Sequence, residues 1–520
     1  MKKLFFCLSV LGMILTGCSK NEDGESDKPN NNNNNNNNNN ENEQPEIPND
    51  PNDVCSSMDD LNFISYCYEN FDVNKDGIVS VNEANTVQKI VISNTEIKSL
   101  KGIECFPNLE SLSYTDSSIE AVNLQNNLKL NSITLSNNKN LKAVLLPNSL
   151  QTIGHHAFSD CTCLTEINFP SSLTAIEESA FFDCTSLNDI LLPNSLQTIG
   201  RRAFKYCSSL TEINLPPNLT TIGEEAFIGC TSLTEINLPP GLTTIEESTF
   251  CYCTSLENIL LPNSLQTIGR RAFNNCFSLT EINLPPNLTT IGEEAFTGCT
   301  SLTKINFPTN LTAIERGAFS SCTSLTEINF PADSRLMSIG SSAFSWCKNL
   351  KKVLLPNSLQ KIELQTFAFC DNLTDITFPT NLTSIEAYAF RSCSSLKTIF
   401  LPSSLQTIGT WAFIDCSNLT EINFPTNSKL TTIGISAFGK CPNLTDISLP
   451  RNLTLIKDSA FKECEKLAKV TCYASTPPQL GNGAFIWRKI ETLYVPRGSV
   501  QKYKDNFQWS NYFKNILPIN

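Results

Sequence analysis

Residues 71–84, FDVNKDGIVSVNEA, place oxygen-bearing side chains at a spacing that can wrap a hard cation. Asp72, Asn74, Asp76, Ser80 and Glu83 stand at loop positions 1, 3, 5, 9 and 12, and the carbonyl of Ile78 stands at position 7. Gly77 at position 6 permits the sharp turn such a loop needs. An all-oxygen ligand set suits calcium, so the loop is expected to bind Ca2+. The other reactive side chains are arranged differently. The chain has 22 cysteines and only two histidines, His155 and His156. Fourteen of the cysteines recur at one phase of a repeat, which makes a line of thiols and not a cluster converging on a point. Tetrahedral metal binding and a Cys–His pair are therefore both disfavoured. No serine, histidine and acid constellation converges outside the repeat, and inside it each such residue is duplicated unit after unit. The chain is expected not to be an enzyme.

The loop must be held by what flanks it. The preceding MDDLNFISYCYENF can form an entering helix with Tyr68 and Phe71 on its packing side, and EANTVQKI reads as a short exit helix. The motif is that of an EF-hand, and only one copy is visible. Because such loops usually work in pairs, a regulatory sensor is disfavoured and a structural calcium is expected, with the helices resting on the first units of the repeat as a cap.

From about residue 145 the chain repeats every 23 residues around LTEINLPxNLTTIGxxAFxxC. The AF phenylalanine recurs fifteen times from Phe158 to Phe485, with two extra residues before Phe344 and Phe438 and one before Phe485. Three residues after fourteen of these phenylalanines stands a cysteine, from Cys161 to Cys464; the last unit has Arg488 instead. A residue placed once per unit at one phase stacks on its own copies, so the cysteines read as buried, reduced rungs. Their parallel side chains point the wrong way for bridging neighbouring rungs, although the extra cysteines Cys163 and Cys251 leave room for a bridge elsewhere. Segments such as LTEINF have the length and alternation of a short strand and end at proline. The expected fold is a solenoid with one long parallel β-sheet, turns and short irregular or helical segments on the opposite side, and a small helical element at the N-terminus. A cluster of Tyr503, Phe507, Trp509 and Phe513 near the end could cover the last coil.

This unit resembles the BspA-like leucine-rich repeat, found in surface proteins of oral and gut bacteria, treponemes and some mucosal protozoa. The resemblance runs over residues 145–485, with a more divergent start over about 97–145. It implies attachment to host matrix proteins or to other bacteria. The beginning of the chain agrees with an exported protein. Lys2 and Lys3 precede an apolar run over residues 4–15 that is too short to span a membrane, and LTGC ends at Cys18. That ending resembles a bacterial lipobox, which implies cleavage before Cys18 and its lipidation. Acidic residues after Cys18 resemble the export signals of surface lipoproteins of the Bacteroides group, which implies an outer membrane lipoprotein exposed on the cell surface. Asparagine fills residues 30–40, within a polar stretch that cannot fold alone and reads as a flexible tether.

The expected organisation is therefore a signal peptide over 1–17, a tether over 18–53, the calcium element and cap over 54–90, divergent repeats over 91–144, regular repeats over 145–490 and a closing cap over 491–520. With a formal charge of −13 the protein is a poor partner for nucleic acid. In each strand the residues flanking the central Ile or Val should face solvent, giving rows of carboxylates and amides such as Glu212/Asn214 and Glu281/Asn283. The least repetitive patch in these rows is Lys352, Leu354, Asp375, Thr398 and Phe400. The expected function is a surface-anchored, monomeric binding protein or adhesin that meets an extracellular protein or cell-surface ligand through this face. The alternative is glycan binding or a passive structural surface layer.

Overall fold

The computed structural model describes residues 47–93, 95–485 and 489–519. The expected signal peptide, Cys18, most of the tether and Arg488 lie outside them. The described residues form two compact units, divided between Ser195 and Leu196, and each is a parallel β-solenoid.

In the N-terminal unit, helix α1 (Leu61–Phe71) starts where Asp60 accepts hydrogen bonds from the amides of Asn62 and Phe63. The other Asp60 oxygen accepts from the amides of Lys98 and Ser99, which ties the helix to the following chain. Phe63, Ile64 and Cys67 are buried on one face, and the Phe71 ring packs 5.2 Å from Phe106. Helix α2 (Val81–Ala84) is only four residues long and opens with a capping box between Ser80 and Glu83. The exit helix expected over EANTVQKI thus stops early, because the burial period changes from helical to two: Ile90 and Ile92 point inward and Lys89 and Val91 outward. Lys89–Ile92 is a strand, paired in parallel with Ser111–Tyr114 and through it with Ser132–Thr134. A second row begins at Ala121–Asn123 and runs to Ala143–Leu145 and Glu166–Ile167.

The C-terminal unit shows both rows in regular form. The expected strands, such as Glu212–Asn214, Glu235–Asn237 and Asn258–Leu260, pair in register with the central isoleucine buried. The Thr-Ile dipeptides form a further ladder of two-residue strands, with Thr244↔Thr267, Thr267↔Thr290 and Thr290↔Ala313. The turn segments around AF are also bonded coil to coil: the amides of Arg271, Phe273 and Asn275 donate to the carbonyls of Glu293, Ala295 and Thr297. Three backbone ladders per coil leave few orphan polar groups around an apolar core.

That core is a column of rings. Phe250, Phe273 and Phe296 are fully buried, with centroids 5.4 and 5.1 Å apart and planes within 13°. Beside it run the cysteines, all free. From Cys230 to Cys464 the repeat thiol donates to the phenylalanine carbonyl of the preceding coil, as Cys276 does to Phe250 (3.2 Å) and Cys299 to Phe273 (3.2 Å), whereas Cys161 donates to the Leu135 carbonyl. In the N-terminal unit Asn138 holds the same phase as Cys161, and its amide donates to the carbonyls of Tyr114 and Leu135. The cysteine therefore does the work of a buried donor that adds almost no polar bulk. Burial pushes the thiols of Cys161, Cys347 and Cys464 up to about 12, so they stay protonated and unreactive.

The last coil is closed by α3 (Val500–Asp505) and α4 (Phe507–Tyr512), followed by the strand Phe513–Pro518, which pairs with Ile490–Val495. Trp509 and Tyr503 are fully buried there, while Phe507 is exposed to solvent and takes no part in the cap.

Candidate functional site

The calcium-type loop lies between α1 and α2. Asp72 ends the helix, and its carboxylate accepts from the amides of Asp76 (3.2 Å) and Gly77 (3.0 Å). Lys75 and Gly77 take left-handed backbone conformations, which wind the loop back on itself. Asn74 meets Asp76 at 2.8 Å, and the amide of Ile78 donates to Asp76. Glu83 accepts from the Ser80 amide and hydroxyl through one oxygen and from the amides of Val73 and Asn74 through the other. These bonds, led by those from Ser80, hold the Glu83 carboxyl below the usual range.

The six expected ligands thus share one wound loop. Among the described residues, however, no three His, Cys, Asp or Glu side chains are gathered as a metal cluster. The donor set fits a hard cation in type, and chelation by Glu83 would replace the bonds it now takes from Val73 and Asn74. Behind the loop, the amide of Val54 donates to the Val79 carbonyl, and Asp53 and Ser80 form an antiparallel bridge. Buried Asp53 also accepts from the amides of Cys55 and Val79 and from the Tyr68 hydroxyl (2.5 Å). The chain's own upstream segment therefore braces this single loop.

The strand face has the expected alternation. Lys352 stands directly opposite Asp375, and Leu354 opposite Thr377. Thr398 and Phe400 pair forward with Glu421 and Asn423 in a separate ladder, so the patch spans a break between two ladders. Thr398 is half-buried, whereas Lys352 and Asp375 are exposed. Phe400 is 68% exposed and Leu354 40%, both on the outer side of their strands.

The charged doublets before AF form real inter-coil pairs. Glu225 accepts from Arg202 through both carboxylate oxygens at 3.0 Å and from Lys205 at 2.6 Å. Arg271 meets Glu294 at 2.6 Å, and Arg270 meets Glu247 at 2.9 Å. Hydrogen bonds from Arg202, then from Lys205, hold the Glu225 carboxyl at about 2, well below its ordinary 4.5. A carboxylate with a lowered folded-state value stabilises the fold above its unfolded value and loses that contribution as pH falls toward 2. Glu225→Gln is accordingly expected to cost about 1–3 kcal/mol at pH 7. The difference from wild type should shrink steadily below pH 4.5 in urea melts, and an equal cost at both ends of that window would contradict the assignment.

One surface escaped the sequence reading. Trp346 and Phe369 stack at 4.1 Å, Tyr388 and Trp411 meet at 4.7 Å, and the Arg391 guanidinium lies 5.1 Å over Phe369 and 5.6 Å over Tyr388. The available signal was their phase: they stand two residues before or after the core phenylalanine, where other coils have Gly229, Gly298 or Gly317.

Residues 129–256, 220–338, 332–438 and 431–518 match the BspA type leucine rich repeat region, well over half of the chain. A leucine-rich repeat protein from Bacteroides ovatus, known from its crystal structure, is 35% identical over 61% of this chain and 80% of its own, with a TM-score of 0.57. A leucine rich cell surface protein from Faecalibacterium prausnitzii is 27% identical over 59% of this chain and 83% of its own, with a TM-score of 0.34. No curated protein matches.

Proposed function

The chain belongs to the BspA-type leucine-rich repeat family, and from that premise we propose that it is a cell-surface-anchored binding protein or adhesin whose strand face holds an extracellular protein. Proteins of this family are typically surface-associated, and leucine-rich repeat proteins generally bind proteins. The solenoid is typically a binding scaffold without enzymatic activity. Among the described residues no helix is long and apolar enough to cross a membrane. Attachment is assigned to lipidated Cys18, with the asparagine-rich stretch as a spacer that holds the repeats off the outer membrane.

The observation that carries the reading is Phe400, two-thirds exposed on a face built mainly of carboxylates and amides, on which Leu260 and Leu354 are further exposed apolar strand residues. A phenylalanine there adds nothing to the core, but it offers an apolar anchor inside a polar field, the composition of a protein-binding hot spot and its rim. The acidity of the rows favours a basic or extended segment of the partner, possessing lysines or arginines to meet Glu421 and Asp375. The test is capture of host matrix proteins and of neighbouring bacteria by the full chain. Replacing both Lys352 and Phe400 with alanine should weaken capture by about tenfold or more, the loss of roughly one anchor residue. Unchanged capture would remove this patch from the mechanism.

The loop over residues 72–83 is assigned a structural Ca2+ held by Asp72, Asn74, Asp76, the Ile78 carbonyl, Ser80 and Glu83. Its bracing by Asp53 and its seat between two short helices support a role in stabilising the base of the repeats. Extracellular sites of this kind bind at about 0.1–1 mM. A few millimolar calcium should therefore stabilise the N-terminal unit by about 1–2 kcal/mol. Melting curves with calcium and with chelator measure this directly. Coincident curves, or a calcium response that survives Glu83→Ala, would exclude the structural ion.

A further inference from the structure

The turn segments of the C-terminal unit carry a set of side chains that neither the core nor the strand face uses. Coils in this unit pass through left-handed backbone two residues before and two residues after the core phenylalanine, as at Arg271 (φ 53°) and Asn275 (φ 59°) around Phe273. Glycine takes that conformation at no steric cost, and Gly229, Gly298 and Gly317 do so at these phases. In four successive coils the same phases hold Trp346 (φ 63°), Phe369 (φ 62°), Tyr388 (φ 57°) and Trp411 (φ 56°). Bulky residues are disfavoured in this region. Since Trp346 is 43% exposed and the other three are half-buried, core packing does not account for them.

Beside Trp346 the column of large rings gives way to small residues, Ser321 and then Gly298 at the same phase. A cavity of about 240 Å³ opens there, lined by Trp346, Phe369, Ser320, Ser342, Gln365 and Arg316 among others. It is smaller than the roughly 300 Å³ at which sites for drug-sized ligands begin, so it admits one ring-sized group. Its rim is fixed by hydrogen bonds: the Ser320 and Ser345 hydroxyls meet at 2.9 Å, and the Ser342 hydroxyl donates to the Gln365 carbonyl oxygen at 3.3 Å, so the donor that Gln365 can offer a guest is its amide nitrogen.

The cavity selects by chemistry. Arg316 is already paired with Glu293 and Glu294, so it does not call for an anion. Lys348 lies 5.5 Å over the Trp346 ring and Arg391 5.1 Å over Phe369, so a cationic guest would meet like charge at the cavity. A purely apolar side chain would strip water from the serine hydroxyls and the glutamine amide without replacing it. A pyranose ring fits both halves. Its C–H face carries partial positive charge against the negative face of an aromatic ring, and its hydroxyls can exchange hydrogen bonds with the rim.

We propose that this cavity is a saccharide-binding site, separate from the strand face, that takes one neutral sugar unit of a glycan with Trp346 as its platform and Gln365 as its polar contact. The full chain would be titrated with cellohexaose, maltohexaose, mannohexaose and lacto-N-tetraose, and binding followed by tryptophan fluorescence and calorimetry. At least one of these should bind saturably below about 10 mM. Trp346→Ala and Gln365→Ala should each weaken that binding by about tenfold or more, while Trp346→Phe retains most of it and Phe400→Ala leaves it unchanged. Because Trp346 lies outside the core, its variants should melt as wild type does, which separates lost binding from lost folding. The site is overturned if none of the four saccharides binds saturably, if the Trp346→Ala and Gln365→Ala variants bind as wild type does, or if an uncharged hexapeptide mixture shows Trp346-dependent binding where the saccharides show none.

Discussion

Phe273→Ala should cost about 3–5 kcal/mol and should do so locally. Phe273 is fully buried between Phe250 and Phe296, and its backbone is bonded to the next coil at the same point. Truncation removes a ring from both stacking contacts and leaves a hole that two flanking rings, fixed by their own ladders, cannot close. In a stacked repeat each coil is stabilised mainly by its two neighbours, so the defect uncouples what lies on either side. Urea unfolding should split into two transitions, and hydrogen exchange should quicken first in the coils around residue 273. A single, barely shifted transition would mean that the column contributes less than its burial implies.

A comparable loss is expected from Trp509→Ala, about 3–5 kcal/mol, for a different reason. The terminal coil has no neighbour to cover its core, and this indole is the cover. It packs 5.8 Å from Phe485, 5.1 Å from Tyr503 and 5.9 Å from Phe513, and its ring N–H donates to the Pro478 carbonyl at 2.8 Å. Alanine exposes Phe485 and leaves that buried carbonyl without its partner. The expected result is concentration-dependent association, read by light scattering, because an uncapped end presents an apolar surface and unpaired strand edges to other molecules. Full solubility with an unchanged melt would show that α3 alone closes the stack.

The sequence made the repeat legible because its phases carry chemistry: phenylalanine and cysteine at fixed offsets can only be stacked rungs, and the alternating EIN segments can only be half-exposed strands. The Thr-Ile ladder was not visible, since two residues are too few to show alternation. The role of the cysteines was visible only as burial. Their hydrogen bond crosses to a carbonyl 26 residues back, as from Cys276 to Phe250, and no local pattern signals it. Asp53 was missed for the same reason, because its partners Tyr68 and Val79 are distant in sequence. The Trp346 and Trp411 positions could have been found by aligning coils and asking which residue breaks a phase otherwise given to glycine or small polar side chains.

The bond from the repeat cysteine to the preceding phenylalanine carbonyl makes the coils interchangeable. Donor and acceptor are the same in the coils from Cys230 to Cys464, so one of these coils can follow another without a new fit being found. An in-frame gain or loss of 23 residues, or of a block such as the near-identical stretches beginning at residues 191 and 260, rejoins equivalent edges. Unequal recombination within the gene would then change how many strand rows the protein displays while leaving its folding intact, so the length of the exposed strand face is a heritable variable that needs no compensating mutation.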